Sequence, residues 1–135
     1  MKIQEMYHVK RIEPAIASLE RWYNRVLDKE PEEMTIGDIL RALRQSVFVE
    51  VAEEMLIKNL QADVFAGDMT EGEMMEALSR LSANSIAKFN DDVKTIVSTA
   101  EAEADHHEWI DETDKKDYLK SVDKVKSNLL EYSEK

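Results

Sequence analysis

Backbone breakers are scarce in this chain: 135 residues contain three glycines and two prolines. So few points of reversal leave little room for a turn-rich β fold and favour long helices. With 43% hydrophobic and 35% charged residues the chain is globular rather than disordered. Its length suits one domain with a real core. The expectation is an all-α fold, a single-domain helical bundle of five or six helices over residues 1–135.

Helical periodicity places the elements. Ile12, Ile16, Leu19, Trp22, Tyr23 and Val26 recur on one face. They predict a first helix over Glu13–Asp28, with Pro14 at the first position, where no N–H is needed. Pro31 breaks the polar run "DKEPEE". "TIGD" then opens a helix, Thr35 capping and Asp38 in the place of a capping-box acid. Ile36, Leu40, Leu43, Val47, Val51, Met55 and Leu56 continue its stripe, and "VFVEVA" is apolar nearly all round, as expected of a central helix. Met74, Met75, Leu78 and Leu81 mark the next helix. Ile86, Phe89, Val93, Ile96, Val97 and Ala100 mark another, separated by a break near Ser82–Ser85 or continuous with it. After a charged loop, Thr113 or Asp114 caps a last helix with the seam Tyr118, Val122, Val125, Leu129 and Tyr132. The aromatics Tyr7, Trp22, Tyr23, Phe48, Phe65 and Phe89 fall mostly at core positions.

Composition narrows the function. There are no cysteines, which excludes disulfides and thiolate metal sites and makes the cytoplasm the expected compartment. No apolar run is long enough for a membrane span, and "MKIQEMYHVKRIEP" has no signal-peptide core. The net charge of −11 opposes direct binding to nucleic acid or to anionic membranes and favours a basic protein partner. The charge is uneven: +1 over residues 1–30, −3 over each of 31–60 and 61–90, and −6 over 91–135.

Catalytic signatures are weak. Glu103 and His106 make a single E-x-x-H, whereas carboxylate-bridged di-metal bundles need two such motifs and two further glutamates. His106 and His107 are expected to be solvated. Glu50 interrupts the most apolar segment and would be a candidate acid or base if buried; the simpler reading puts it on an exposed strip or in an ion pair. There is no nucleophile–base set, zinc motif, Walker loop or dinucleotide fingerprint. No cofactor or metal is expected, and no enzyme.

"VFAGDMTEGEMMEALSRL" (Val64–Leu81) holds two of the three glycines among four acids. Gly67 is expected to take the left-handed backbone that ends a helix or forms a tight turn. Thr70 and Glu73 form a T-x-x-E capping box. Gly72, in the first turn of the next helix, is costly unless another group approaches closely. Asp68, Glu71, Glu73 and Glu76 would repel a phosphate, so this is a shaped acidic corner and no anion cradle.

"TIGDILRALRQSVFVEVAEEMLI" followed by "DVFAGDMTEGEMMEALSRL" resembles the immunity proteins of bacterial contact-dependent growth inhibition (CDI) systems. Asp38, Arg44, Gln45, Gly67, Gly72, Glu73, Leu78 and Ser79 occupy matching places, and Met74 and Met75 stand where that family has leucines. The resemblance covers Thr35 to Leu81, about a third of the chain. It implies a stoichiometric inhibitor that binds the C-terminal toxin domain of a cognate effector and blocks its active site or substrate surface; the chain itself is expected to be a monomer or weak dimer. It also implies that many such toxins are nucleases and hence basic, so that an acidic inhibitor competes for the same cleft. The expected contacts are Glu53, Glu54, Asp68, Glu71 and Glu76, with Asp91, Asp92, Asp105 and Glu108 as a second surface. Charge reversal of Glu71 and Glu76 together should slow association and weaken its salt dependence. The competing readings are a metal-dependent bundle enzyme built on Glu50, Glu53, Glu103 and His106, and a helical adaptor that self-associates through the seam of its last helix.

Overall fold

A computed structural model describes the backbone of residues 1–133 and side chains as far as Leu130. Among the described residues there are eight α-helices and no strand. They are α1 (Ile3–Tyr7), α2 (Ser18–Leu27), α3 (Ile36–Gln45), α4 (Val49–Ala62), α5 (Glu73–Ser79), α6 (Ala83–Lys88), α7 (Asn90–Ala104) and α8 (Glu112–Ser133), with a 3-10 turn at Pro31–Glu33. The all-α class holds, and five or six helices is an undercount. No helix among the described residues is long and apolar enough to cross a membrane. The chain forms two compact units that divide within α4, the first being Met1–Met55 and the second beginning at Leu56.

In the first unit the expected helix over Glu13–Asp28 is shortened at its start. The Asn24 amide binds both backbone groups of Ile12, accepting from its N–H and donating to its carbonyl, each at 2.9 Å. Ile12 is thereby taken out of any helix, and Pro14 lies in the connection rather than at a first helical turn. The helix begins at Ser18, where the Glu20 carboxylate accepts the Ala17 N–H at 2.8 Å. Orphan donors at a helix start are satisfied in this way.

The expected central helix is broken. Ser46 and Phe48 adopt left-handed φ values of 55° and 53° and separate α3 from α4. A bulky residue there costs about 1 kcal/mol or more. The gain is burial of the Phe48 ring, stacked on Tyr23 at 5.0 Å and tilted against Tyr7 at 5.2 Å. The apolar run "VFVEVA" is therefore partly a turn that delivers an aromatic to the core. Glu50 is exposed and accepts from the Tyr7 hydroxyl at 2.9 Å. Burial and this carboxylate push the Tyr7 hydroxyl up to about 12, against a lowering by the Val51 N–H.

Asp38 anchors the first unit. Thr35 and Asp38 complete a reciprocal cap, Oγ1 accepting the Asp38 N–H at 3.0 Å and the carboxylate accepting the Thr35 N–H at 3.1 Å. The same carboxylate accepts from Trp22 Nε1 at 3.0 Å and from Lys29 Nζ at 2.6 Å. Burial raises its pKa, but the bonds from Lys29, Thr35 and Trp22 outweigh this and hold it below the usual carboxylate range.

In the second unit α8 is the hub, packed against α5, α6 and α7. Its seam is as expected: Tyr118, Val122, Val125 and Leu129 are buried. The Tyr132 side chain lies outside the described residues. Each such side chain contributes about 1.5–3 kcal/mol on leaving water. These four seam residues are consumed inside the chain. The cap of α8 is Asp111, whose carboxylate accepts the Thr113 N–H at 2.7 Å, rather than Thr113 or Asp114. Ser82 caps α6 through the Ser85 N–H at 3.1 Å, so of the two alternatives the helices are separated here and not continuous. A second break at Phe89 separates α6 from α7.

Candidate partner-binding surface

The corner Val64–Leu81 is shaped by steric necessity. Gly72 has φ 81° and serves as N-cap of α5. A Cβ built there would lie 2.8 Å from Tyr118 Cδ2, so the close approach that a costly glycine requires is the tyrosine ring. Gly67 differs from expectation: its backbone is not left-handed, and what excludes a side chain is the Thr70 carbonyl oxygen, 1.8 Å from the Cβ position. The capping box is half realised. Glu73 accepts from the backbone N–H groups of Met69, at 2.6 Å, and Thr70. The Thr70 hydroxyl donates to Glu73 instead of accepting from it, because Gly72 rather than Thr70 starts the helix. The turn is closed by Gly72 N–H to the Phe65 carbonyl at 2.9 Å and by Met74 N–H to the Ala66 carbonyl at 3.1 Å. Met74 and Met75 are fully buried, as core filling requires.

The residues after α7 fold onto this corner. His107 stacks on Phe65 with centroids 4.0 Å apart, and its Nε2 lies 2.7 Å from Glu71 Oε2. Trp109 meets Phe65, His107 and Tyr118 at 4.6–5.4 Å and donates from Nε1 to the Ala104 carbonyl at 2.8 Å. The Tyr118 hydroxyl donates to the Val64 carbonyl at 2.7 Å. Burial above all, with Asp63 and Glu103 nearby, pushes that hydroxyl upward in pKa. His107 is thus a half-buried clasp and not a solvated histidine, whereas His106 is exposed as expected. Adjacent residues of one type gave no periodic signal to separate them.

Beside the clasp lies a cleft of about 360 Å³ lined by Glu71, Gly72, Glu76, Asp114, Asp117 and Tyr118, with Lys120 at its edge. Four carboxylates against one ammonium make it an electronegative groove. Sequence reasoning named Glu71 and Glu76 but missed Asp114 and Asp117. Their helical spacing from Tyr118 and Ser121 marked the face, but nothing in the sequence showed which element that face meets.

The remaining expected contacts are scattered. Asp68 is exposed on the turn, and Glu108 is exposed next to His107. Asp91 and Asp92 are exposed in the first turn of α7, where the helix dipole favours negative charge. Asp92 accepts from Gln61 at 3.1 Å. Asp105 is engaged by Lys115 at 3.0 Å, a bond that holds its carboxyl below the usual range. Glu54 is exposed in the first unit and borders a smaller cleft of about 280 Å³ with Met6, Tyr7, Glu50 and Val51. Glu53 is corrected: at 2% exposure it is a buried residue of α4 and presents no carboxylate to a partner. Its neighbours Ala52, Met55, Leu56 and Ile57 are buried too, so this stretch of α4 is covered on several sides. Among the described residues no group of three or more acid, histidine or cysteine side chains is disposed to hold a metal.

The class this helical, acid-fringed chain falls into is set by comparison with known families. A family model described as CDI immunity proteins matches residues 5–96. The chain belongs to that family. The match extends well beyond the resemblance over Thr35–Leu81 and takes in α2, the Asp38 network and the start of α7. No curated protein matches the chain. Six of the residues that carried the resemblance have structural places, whereas Arg44 and Gln45 are exposed: Asp38 is a buried hub, Gly67 and Gly72 shape the corner, Glu73 closes it, and Leu78 and Ser79 are buried.

Proposed function

We propose that this chain neutralises the C-terminal toxin domain of a cognate CDI effector by stoichiometric binding, without catalysis, in the cytoplasm of the cell it protects. The toxin domain is basic and acts on nucleic acid, and the inhibitor covers its active site or substrate surface. One copy of the chain acts on one toxin domain. The observation that carries this reading is the groove of Glu71, Glu76, Asp114 and Asp117 beside α8. It offers a cationic cleft the same sign of charge as a nucleic-acid backbone, on a rigid support. Within the same unit Asp68, Asp91, Asp92, Asp105 and Glu108 add to the negative charge. Fixed charges of this kind raise association rates and select partners more than they add affinity.

The test is inhibition of the purified toxin domain encoded beside the chain. Its nuclease activity should fall to background at one equivalent of inhibitor. Activity that survives an excess overturns the proposal. Asp117→Lys is the cleanest probe of the groove, because Glu71 also holds the His107 clasp. That substitution should slow association severalfold and reduce its salt dependence.

A further inference from the structure

Two of the most exposed apolar side chains stand on the two segments that the His107–Glu71 clasp joins. Met69 is 85% exposed and Ile110 is 92% exposed. Met69 is two residues from Glu71, and Ile110 is three from His107. Neither hangs on slack chain. The backbone N–H of Met69 is bound by the Glu73 carboxylate at 2.6 Å. Ile110 lies between Trp109, tied to the Ala104 carbonyl, and Asp111, the cap of α8. Both are held out into water by neighbours that are themselves fixed.

Apolar side chains displayed on an ordered backbone and ringed by charge form the usual anchor-and-rim pattern of a protein interface. The rim here is acidic: Asp68 and Glu71 flank Met69, while Glu108, Asp111 and Glu112 flank Ile110. The first unit supplies a contrast. Ile16 is 74% exposed, but its carbonyl is bound by Arg21, and residues 1–30 carry a net positive charge. We infer that Met69 and Ile110 are the apolar anchors with which this chain docks on a basic protein domain, entering sockets bordered by lysine or arginine. The inference rests on the proposed function, because the occupant is the toxin domain itself. Pre-fixing by the clasp means little ordering is needed on binding, so the anchors act mainly on the lifetime of the complex.

The experiment measures association and dissociation rates with the immobilised toxin domain. The variants are Met69→Ser, Ile110→Ser and their double, with Ile16→Ser and Leu130→Ser as exposed apolar controls. All are surface changes, and circular dichroism checks that each is folded. The double variant should dissociate about tenfold faster or more, with association changed little, and the controls should match the parent. Asp68→Lys should do the reverse, slowing association. Binding by the parent with an unchanged dissociation rate in the double variant overturns this inference and leaves the proposed function standing. Absence of binding by the parent chain overturns both.

Discussion

Gly72→Ala is the perturbation that tests the corner most sharply. Two costs are fixed by the structure. At φ 81° an L-residue pays about 1 kcal/mol relative to glycine. The new Cβ would also meet Tyr118 Cδ2 at 2.8 Å, well inside contact distance. The ring cannot swing away freely: its hydroxyl is bonded to the Val64 carbonyl at 2.7 Å, and Phe65 and Trp109 press on it at 5.1 and 5.3 Å. Overpacking of this kind costs about 1–3 kcal/mol. The sum is a loss of about 2–4 kcal/mol, which for a chain of this size is a fall in Tm on the order of 10 °C. Urea denaturation followed by circular dichroism measures it. Combining Gly72→Ala with Tyr118→Leu removes the clash but not the backbone cost, so the two losses should fall short of additive by about 1–2 kcal/mol. A loss below about 1 kcal/mol for Gly72→Ala, or strict additivity, would refute the steric reading.

Asp38→Ala should cost about 3 kcal/mol, the lower end for a broken buried ion pair because Lys29 keeps some contact with water; a denaturation curve like that of the parent would contradict it. Since the Asp38 carboxyl is held below its unfolded value of about 3.9, its stabilisation is complete above that pH and is lost as pH falls through the lowered folded value. Unfolding free energy measured from pH 6 to 2 should therefore fall less steeply in Asp38→Asn than in the parent. Tyr118→Phe keeps the ring but removes the buried bond to Val64, and should cost about 1–2 kcal/mol in the same denaturation assay. Lys115→Ala should return the Asp105 carboxyl toward the ordinary aspartate range, seen by NMR titration of its side-chain carbon.

What could be read from the sequence was what periodicity and capping chemistry encode locally. The α8 seam, the buried methionines of α5, the Thr35–Asp38 cap and the cost of Gly72 were all visible in spacing alone. The start of α2 was not, because an asparagine twelve residues away takes the backbone of Ile12. The break at Phe48 was not, because its cause is an aromatic cluster with Tyr7 and Tyr23, distant in sequence. The acidic groove was half legible. Glu71 and Glu76 stood out beside glycines, but Asp114 and Asp117 join them only through the packing of α8 on α5. Glu53 misled because an acid in an acidic stretch reads as surface, while its position on α4 is enclosed. His107 became meaningful only when Phe65 and Glu71 were brought to it.

The most direct test of the central claim is calorimetric titration of the chain into the toxin domain encoded beside it, at low and at moderate salt. Exposed charges are screened beyond about 8 Å at physiological ionic strength, so binding steered by acidic residues must respond to salt. The account predicts tight one-to-one binding that weakens as salt rises. Tight binding indifferent to salt would contradict the charge-steered docking, and no binding at either salt would contradict the function itself.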